Sequence, residues 1–273
     1  MFPSFTVFGI TIHCFGLIGV TGLLIASFIM CYRIRKAGYD YNDTILFIVS
    51  LSGGMMVGGS ILNAIVHSRI ILGAQDFSTF LNAVKSACNG IVFYGGLFGA
   101  IIAGLIYIKC AKLPKQLYLD NSALFAPLFH GVARIGCFCG GCCYGIESKF
   151  GFSAAHVENK LVPSLGDVTR FPVQLLESAC NFILAAVIFL LLKKGVLKGK
   201  LFYVYLLSYS VIRFFDEFLR GDDLDRGFVG PFSTSQFISI FVFAFAAFML
   251  FIKPHLPKKA ENVNPTVAEE TEK

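Results

Sequence analysis

The chain reads as an all-α, polytopic integral membrane protein: seven transmembrane helices with a small extracytoplasmic cap. Three observations predict this. Hydrophobic residues make up 56% of the 273 positions against 15% charged, with 30 Phe and no Trp, a balance too apolar for a soluble domain. Seven apolar segments can be marked, at about 10–32, 44–66, 91–108, 120–139, 173–192, 201–219 and 233–252. Each is close to the roughly 20 residues that a span requires. The connections between them alternate in charge. RIRK (33–36), the run holding Lys109, Lys112 and Lys115, KKGVLKGK (193–200) and the end with Lys253, Lys258 and Lys259 carry 13 Lys and Arg, and the three intervening connections carry seven. The positive-inside rule then places the N-terminus outside and the C-terminus in the cytoplasm, which closes the parity of seven spans.

Taken in order, the segments assign themselves. The opening MFPSFTVFGITIHCFG lacks a basic n-region and runs straight into the first span, so that span is expected to be retained. Gly53, Gly54, Gly58 and Gly59 in the second span, with Gly95, Gly96, Gly99 and Gly104 in the third, form small-xxx-small spacings that first read as helix packing. Between those spans, FSTFLNAVKSA is predicted to lie as an amphipathic helix at the interface. Residues 140–172 form a polar, Gly- and Pro-punctuated outer loop long enough for a cap or lid. The membrane domain is thus 1–255. The remainder, 256–273, is low in hydrophobics and is expected to be a disordered cytoplasmic tail. The net charge of +6 lies mostly in the connections, which points to the lipid bilayer as partner and not to nucleic acid.

Chemistry concentrates in two stretches. HGVARIGCFCGGCCYG (130–145) ends the fourth span and carries Arg134 beside four cysteines. An arginine at membrane depth is costly unless paired or wetted, and so marks a functional site by default. The sixth span ends in YSVIRFFDEFLRGDD, where Tyr209, Arg213, Asp216, Glu217 and Arg220 fall within an arc of about 100° at helical spacing, with Tyr205 at its edge. Topology puts Arg134, Arg213, Glu217 and Tyr94 in the same outer half of the membrane, with Gly95 and Gly96 beside them. Two guanidinium groups suit a phosphate-bearing headgroup because they bind its oxygens bidentately. A nearby carboxylate and tyrosine can orient groups or move protons. These residues predict an enzyme or transporter acting on an anionic phospholipid.

The cysteines leave several readings open. Cys14, Cys31, Cys88, Cys110 and Cys180 are scattered and read as small hydrophobes. In the cluster, Cys139-x-x-Cys142 has redox spacing, Cys137 has the place of a nucleophile, and the set of Cys137, Cys139, Cys142 and Cys143 has an unusual pattern for zinc. The plain alternative is four small residues at a crowded helix end, and no metal or organic cofactor is assigned. His130 reads as a satisfied core histidine, and His156 as a second candidate base in the outer loop.

FYGGLFGAIIAG (93–104), HGVARIGCFCGGCCYG (130–145), RFPVQLLESA (170–179) and YSVIRFFDEFLRGDD (209–223), in this order and spacing, resemble the prolipoprotein diacylglyceryl transferase family. The resemblance runs over nearly all of the chain to about residue 252. It implies transfer of diacylglyceryl from phosphatidylglycerol to a lipobox cysteine of a prolipoprotein, leaving a thioether and glycerol-1-phosphate, without a cofactor. By position, Arg134 and Arg213 match the family's essential arginines. Glu217 matches its conserved acid, Tyr209 a conserved tyrosine, and Gly145 the glycine closing the fourth-span motif. Gln174 and Glu177 match its Q-L-x-E, implying that they orient the loop or Arg134. The chain departs from the family where Tyr94 and Phe171 replace His, Cys137 replaces Asn, Cys142 replaces Glu and Phe15 replaces Tyr. The phosphate half of the site is kept and the acceptor half is changed. The substitutions leave room for a different acceptor, or for an outward-facing thiol–disulfide oxidoreductase.

Overall fold

The computed structural model describes residues 4–7, 10–66, 76, 78, 81, 93–153, 168–222, 228–229 and 231–252. Each of the seven expected apolar segments carries a helix: α1 (Cys14–Lys36), α2 (Tyr41–Val66), α3 (Phe93–Cys110), α4 (Lys115–Gly140), α5 (Val173–Lys194), α6 (Leu201–Asp216) and α7 (Thr234–Ala247). A 3-10 turn at Glu217–Leu219 continues α6, and a π-helical turn at Phe248–Ile252 continues α7. Short antiparallel strand pairs flank the helices: β1 (Ser4–Val7) with β2 (Ile10–His13) before α1, β3 (Glu147–Ser153) with β4 (Thr169–Arg170) between α4 and α5, and β5 (Phe228–Val229) with β6 (Phe232–Ser233) between α6 and α7.

Among the described residues, five helices are long and apolar enough to cross a membrane: α1, α2, α4, α5, and α7 with its π-helical end. The apolar part of α3, Gly95–Cys110, is shorter, and α6 has 16 residues. Large apolar side chains cover the outside, with Phe28 73%, Phe251 65% and Ile183 64% exposed. So much contiguous apolar surface suits lipid and not water. The molecule is a multi-pass membrane protein.

Two boundaries differ from expectation. The first span does not start at residue 10, because Ile10–His13 pairs as a strand with Ser4–Val7 and helix begins only at Cys14. Ile10, Thr11 and Ile12 are β-branched and suit a strand better than a helix. The fourth helix starts at Lys115 and not near 120, because the polar turn KQLYLD is already helical. Of the predicted amphipathic helix FSTFLNAVKSA only Ser78 and Leu81 are among the described residues, both helical, while the tail 256–273 and the 154–167 part of the predicted cap lie outside them.

Glycine governs the closest packing. A Cβ on Gly54 would collide with the Gly99 carbonyl and Ala103, and one on Gly58 with the Gly95 carbonyl, so α2 and α3 touch backbone to backbone. On α1, a Cβ at Gly22 would stand 2.8 Å from Val132 Cβ of α4. Further along, α4 lies on α5 and α6 on α7. The apolar core forms toward one end of the bundle, in two clusters. Met30, Ile34, Phe47, Ile48, Ile108 and Tyr118 make one, and Ala123, Leu124, Leu184, Ala185, Ile188 and Leu201 make the other. Asp120 links α4 to the start of α6 there, its Oδ1 accepting from Leu201 N at 3.0 Å and its Oδ2 from Gly199 N at 2.5 Å. The opposite ends of α4 and α6, and the starts of α5 and α7, are left to carry polar side chains.

Candidate functional site

On α5, Gln174, Glu177, Ser178 and Asn181 are all buried, at the i, i+3, i+4, i+7 spacing of a single helix face. That face points at α4 and α6. Ser178 Oγ donates to the Gly131 carbonyl at 2.7 Å, and Gln174 Nε2 to the Cys142 carbonyl at 2.8 Å. Glu177 stands between them as the hub. Its Oε2 lies 2.7 Å from Arg134 Nη2 of α4 and 3.7 Å from Arg213 Nη1 of α6. Its Oε1 accepts from the Tyr209 hydroxyl at 3.1 Å and lies 3.5 Å from His130 Nε2. Arg213 is held on its other side as well, with Nη2 2.7 Å from Glu217 Oε2 and donating to Ser235 Oγ at 3.0 Å. Four helices thus each give one end to the site.

The side chains of Arg134 and Arg213 are 11% exposed and that of Glu177 3%. Buried charges at such depth persist only when paired and hydrogen-bonded. Two guanidiniums facing Glu177 and Glu217 sum to zero when all four are charged. The carboxylates therefore anchor the arginines without consuming all their donors, since Arg134 Nε and Arg213 Nη1 are buried with no hydrogen-bond partner among the described residues. Such an array is pre-organised to receive phosphate oxygens and to stabilise charge that develops on them.

Beside this site the chain reverses. Gly141 takes φ +74°, with Gly141 N on the Phe138 carbonyl and Cys142 N on the Cys137 carbonyl, which is a Schellman ending. Cys143 also takes a positive φ of 55°. The turn brings the sulfurs of Cys137, Cys142 and Cys143 within 4.8 Å of one another. Arg134 Nη1 lies 3.8 Å from Cys137 Sγ. Hydrogen bonds from the Cys137 and Cys142 thiols, with Arg134 and Arg220 adding positive field, hold the Cys143 thiol well below the ordinary range despite its burial.

The next residues form a backbone crossing. Gly145 pairs with Arg220, Gly221 N donates to the Tyr144 carbonyl at 3.0 Å, and Phe171 N to the Ile146 carbonyl at 2.9 Å. A Cβ at Gly145 would collide with the Phe171 carbonyl and stand 3.0 Å from that of Leu219. Arg170 fastens the crossing, donating to the Gly145 carbonyl at 3.3 Å with its guanidinium 4.7 Å from the Tyr144 ring centroid.

The expected residues divide accordingly. Arg134, Arg213, Glu217 and Tyr209 converge around Glu177, and Cys137 and Cys142 adjoin Arg134. Arg220 does not share the face of Arg213, because the α-helix stops at Asp216 and Arg220 is extended. It pairs instead with Asp222. Gly95 and Gly96 pack on α2, against Gly58 and Met55, and Gly145 serves the backbone crossing. The Tyr94 side chain and His156 lie outside the described residues. Cys139 is not among the three clustered sulfurs. Sequence reasoning gave Glu177 only an orienting part toward Arg134 and missed that it joins both arginines. Ser235 was missed entirely, and its one signal is its place in the capped first turn of α7.

Fold and site together define a multi-pass helical membrane protein in which two buried arginines meet two buried carboxylates near the helix ends. A family model described as prolipoprotein diacylglyceryl transferase matches residues 3–252. The chain belongs to the prolipoprotein diacylglyceryl transferase family. It is 32% identical to the phosphatidylglycerol–prolipoprotein diacylglyceryl transferase of Clostridium tetani, over 90% of this chain and 94% of the relative. It is 35% identical to transferase 2 of that name from Clostridium perfringens, over 86% and 89%. With the Campylobacter jejuni enzyme of the same name it shares 28% identity over 88% and 89%.

Proposed function

We propose that this chain transfers the diacylglyceryl group of phosphatidylglycerol to the thiol of a lipobox cysteine in a prolipoprotein signal peptide. The observation that carries the reading is the convergence of Arg134 and Arg213 on Glu177, in a chain whose relatives are named for this transfer. In the step, the thiolate sulfur attacks the glycerol carbon bonded to phosphate. A C–S bond forms, the C–O bond breaks, and the electron pair leaves on the oxygen of glycerol-1-phosphate. Arg134 Nε and Arg213 Nη1 supply donors where that charge grows, and fixed donors of this kind are worth about 3–4 kcal/mol each. Glu177, Glu217, Tyr209 and Ser235 hold the two guanidiniums still, so little reorganisation accompanies the reaction. The thiol proton passes to a base among the groups facing the acceptor, with Tyr94 at the matching position.

In this reading α3 and α6 also cross the membrane, giving seven spans in a bacterial inner membrane. The N-terminus faces outward, the C-terminus is cytoplasmic, and 140–172 forms the extracytoplasmic cap of a single domain, 1–255. The alternation of basic connections supports that orientation. The test is mass spectrometry of a lipobox peptide incubated with phosphatidylglycerol and the purified protein. A diacylglyceryl adduct on the peptide thiol, lost with Arg134→Ala and with Arg213→Ala, is the expected result. No adduct from the wild type under sound lipid and detergent controls would overturn the acceptor assignment.

A further inference from the structure

We propose that Cys137, Cys142 and Cys143 form a three-thiolate site for a soft metal ion of the zinc, cadmium and copper(I) class. The three sulfurs lie mutually within 4.8 Å, and none is in a disulfide. Three ligands on one zinc at about 2.3 Å in tetrahedral directions stand roughly 3.8 Å apart. Closing the trio on one ion therefore asks each sulfur to move by about 1 Å or less, within the reach of a χ1 adjustment.

The backbone is shaped to make the trio. Cys137 is fixed in the last turn of α4, the Schellman reversal at Gly141 turns the chain back on that end, and Cys143 holds a positive φ of 55°. Non-glycine residues adopt that conformation at a cost of about 1–3 kcal/mol, which the surrounding crossing at Gly145 must sustain. Four cysteines crowded together merely as small residues would not call for that conformation at Cys143.

Charge and access fit as well. Thiolate ligands are soft and prefer metals of this class over magnesium or calcium. Three thiolates on a divalent ion leave one net negative charge, and the Arg134 guanidinium, 3.8 Å from Cys137 Sγ, is placed to offset it. Cys142 is exposed and gives the ion a path in. Binding releases the thiol protons to solvent. A fourth coordination position remains for solvent. The loaded trio shares Arg134 with the anion site, so occupancy and phosphate binding are linked through that side chain.

The test reads metal directly and does not depend on the transfer reaction. Reduced, detergent-purified full-length protein is titrated with cadmium while the ultraviolet thiolate-to-cadmium band is recorded. One equivalent should saturate the wild type. The band at one equivalent should be lost with Cys137→Ser, Cys142→Ser and Cys143→Ser and kept with Cys139→Ser. Wild-type protein is also alkylated with and without cadmium and mapped by mass spectrometry, which decides the matter even where a serine variant folds poorly. Protection of these three cysteines with Cys139 and Cys14 unaffected is the expected pattern. An absent band, equal loss with Cys139→Ser, or no selective protection would each reduce the trio to three packed thiols.

Discussion

Arg134 and Glu177 close a buried ion pair at 2.7 Å between α4 and α5, and the same carboxylate oxygen reaches Arg213 on α6. One acid therefore sets the positions of two bases that come from different helices. Removing it leaves two guanidiniums facing each other at low exposure. Breaking a buried pair in this way costs about 3–5 kcal/mol. Glu177→Gln should lower the thermal unfolding midpoint and reduce diacylglyceryl transfer at least about 100-fold. Glu177→Asp keeps the charge but shortens the reach, and should fall between. Melting curves and transfer rates measured together distinguish this hub from a bystander, whose loss would leave both nearly unchanged.

Arg213 contacts three partners at once: Glu177, Glu217 and Ser235. A planar fork can serve several acceptors together, whereas an ammonium is a single point charge on a flexible stem. Arg213→Lys is therefore expected to keep the fold and lose roughly 10²- to 10³-fold in transfer rate. Ser235→Ala removes only a neutral hydrogen bond worth about 1 kcal/mol and should cost less than about tenfold. Rate measurements on detergent-solubilised variants at saturating phosphatidylglycerol test the ordering. A lysine variant as active as the wild type would rule out the fork as the reason for arginine.

What the sequence makes legible depends on how local each signal is. Apolar segments and glycine spacings are local, and the helices of α2, α3, α5 and α7 lie close to where those signals put them. The strand Ile10–His13 was hidden because an apolar β-branched run has the same hydropathy as the start of a span. Arg220 was misplaced because the helical wheel assumes a continuing helix, and the chain leaves α-geometry after Asp216. Glu177 stood in view as an acid near a helix start, but its two arginine partners come from separate helices and only tertiary structure joins them. The cysteine spacing left several readings open, and the reversal at Gly141 is what gathers Cys137, Cys142 and Cys143.

The α2–α3 contact predicts a sharp contrast between two adjacent glycines. At Gly54 an added Cβ would meet the Gly99 carbonyl and Ala103, while at Gly53 it meets nothing within 4 Å. Gly54→Ala must push the helices apart, and overpacking of this kind costs about 1–3 kcal/mol. Gly53→Ala should be neutral or slightly stabilising, because alanine favours helix over glycine by about 1 kcal/mol. Thermal aggregation midpoints of the two variants in the same detergent should separate them. Equal midpoints would mean that the two helices do not meet as closely as described.

Asp120 offers a prediction far from the site. Its carboxylate lies in α4, yet its two oxygens accept from Gly199 N and Leu201 N, which precede and open α6. Lys200, at the N-cap of α6, makes no side-chain cap of its own. Asp120 is thus the cap of α6 supplied from another helix, and a carboxylate there also complements the positive end of the helix dipole. Asp120→Ala leaves the buried Leu201 N without its partner, at about 1–3 kcal/mol, and the half-buried Gly199 N at a smaller cost. Asp120→Asn keeps one acceptor oxygen and should lose about half as much. Since α6 carries Arg213 and Tyr209 at its far end, loosening its start should lower the unfolding midpoint more than the transfer rate of the folded fraction. Midpoints and rates per folded molecule, measured on both variants, check this. A rate loss in Asp120→Asn equal to that in Arg213→Ala would show instead that the two ends of α6 are rigidly coupled.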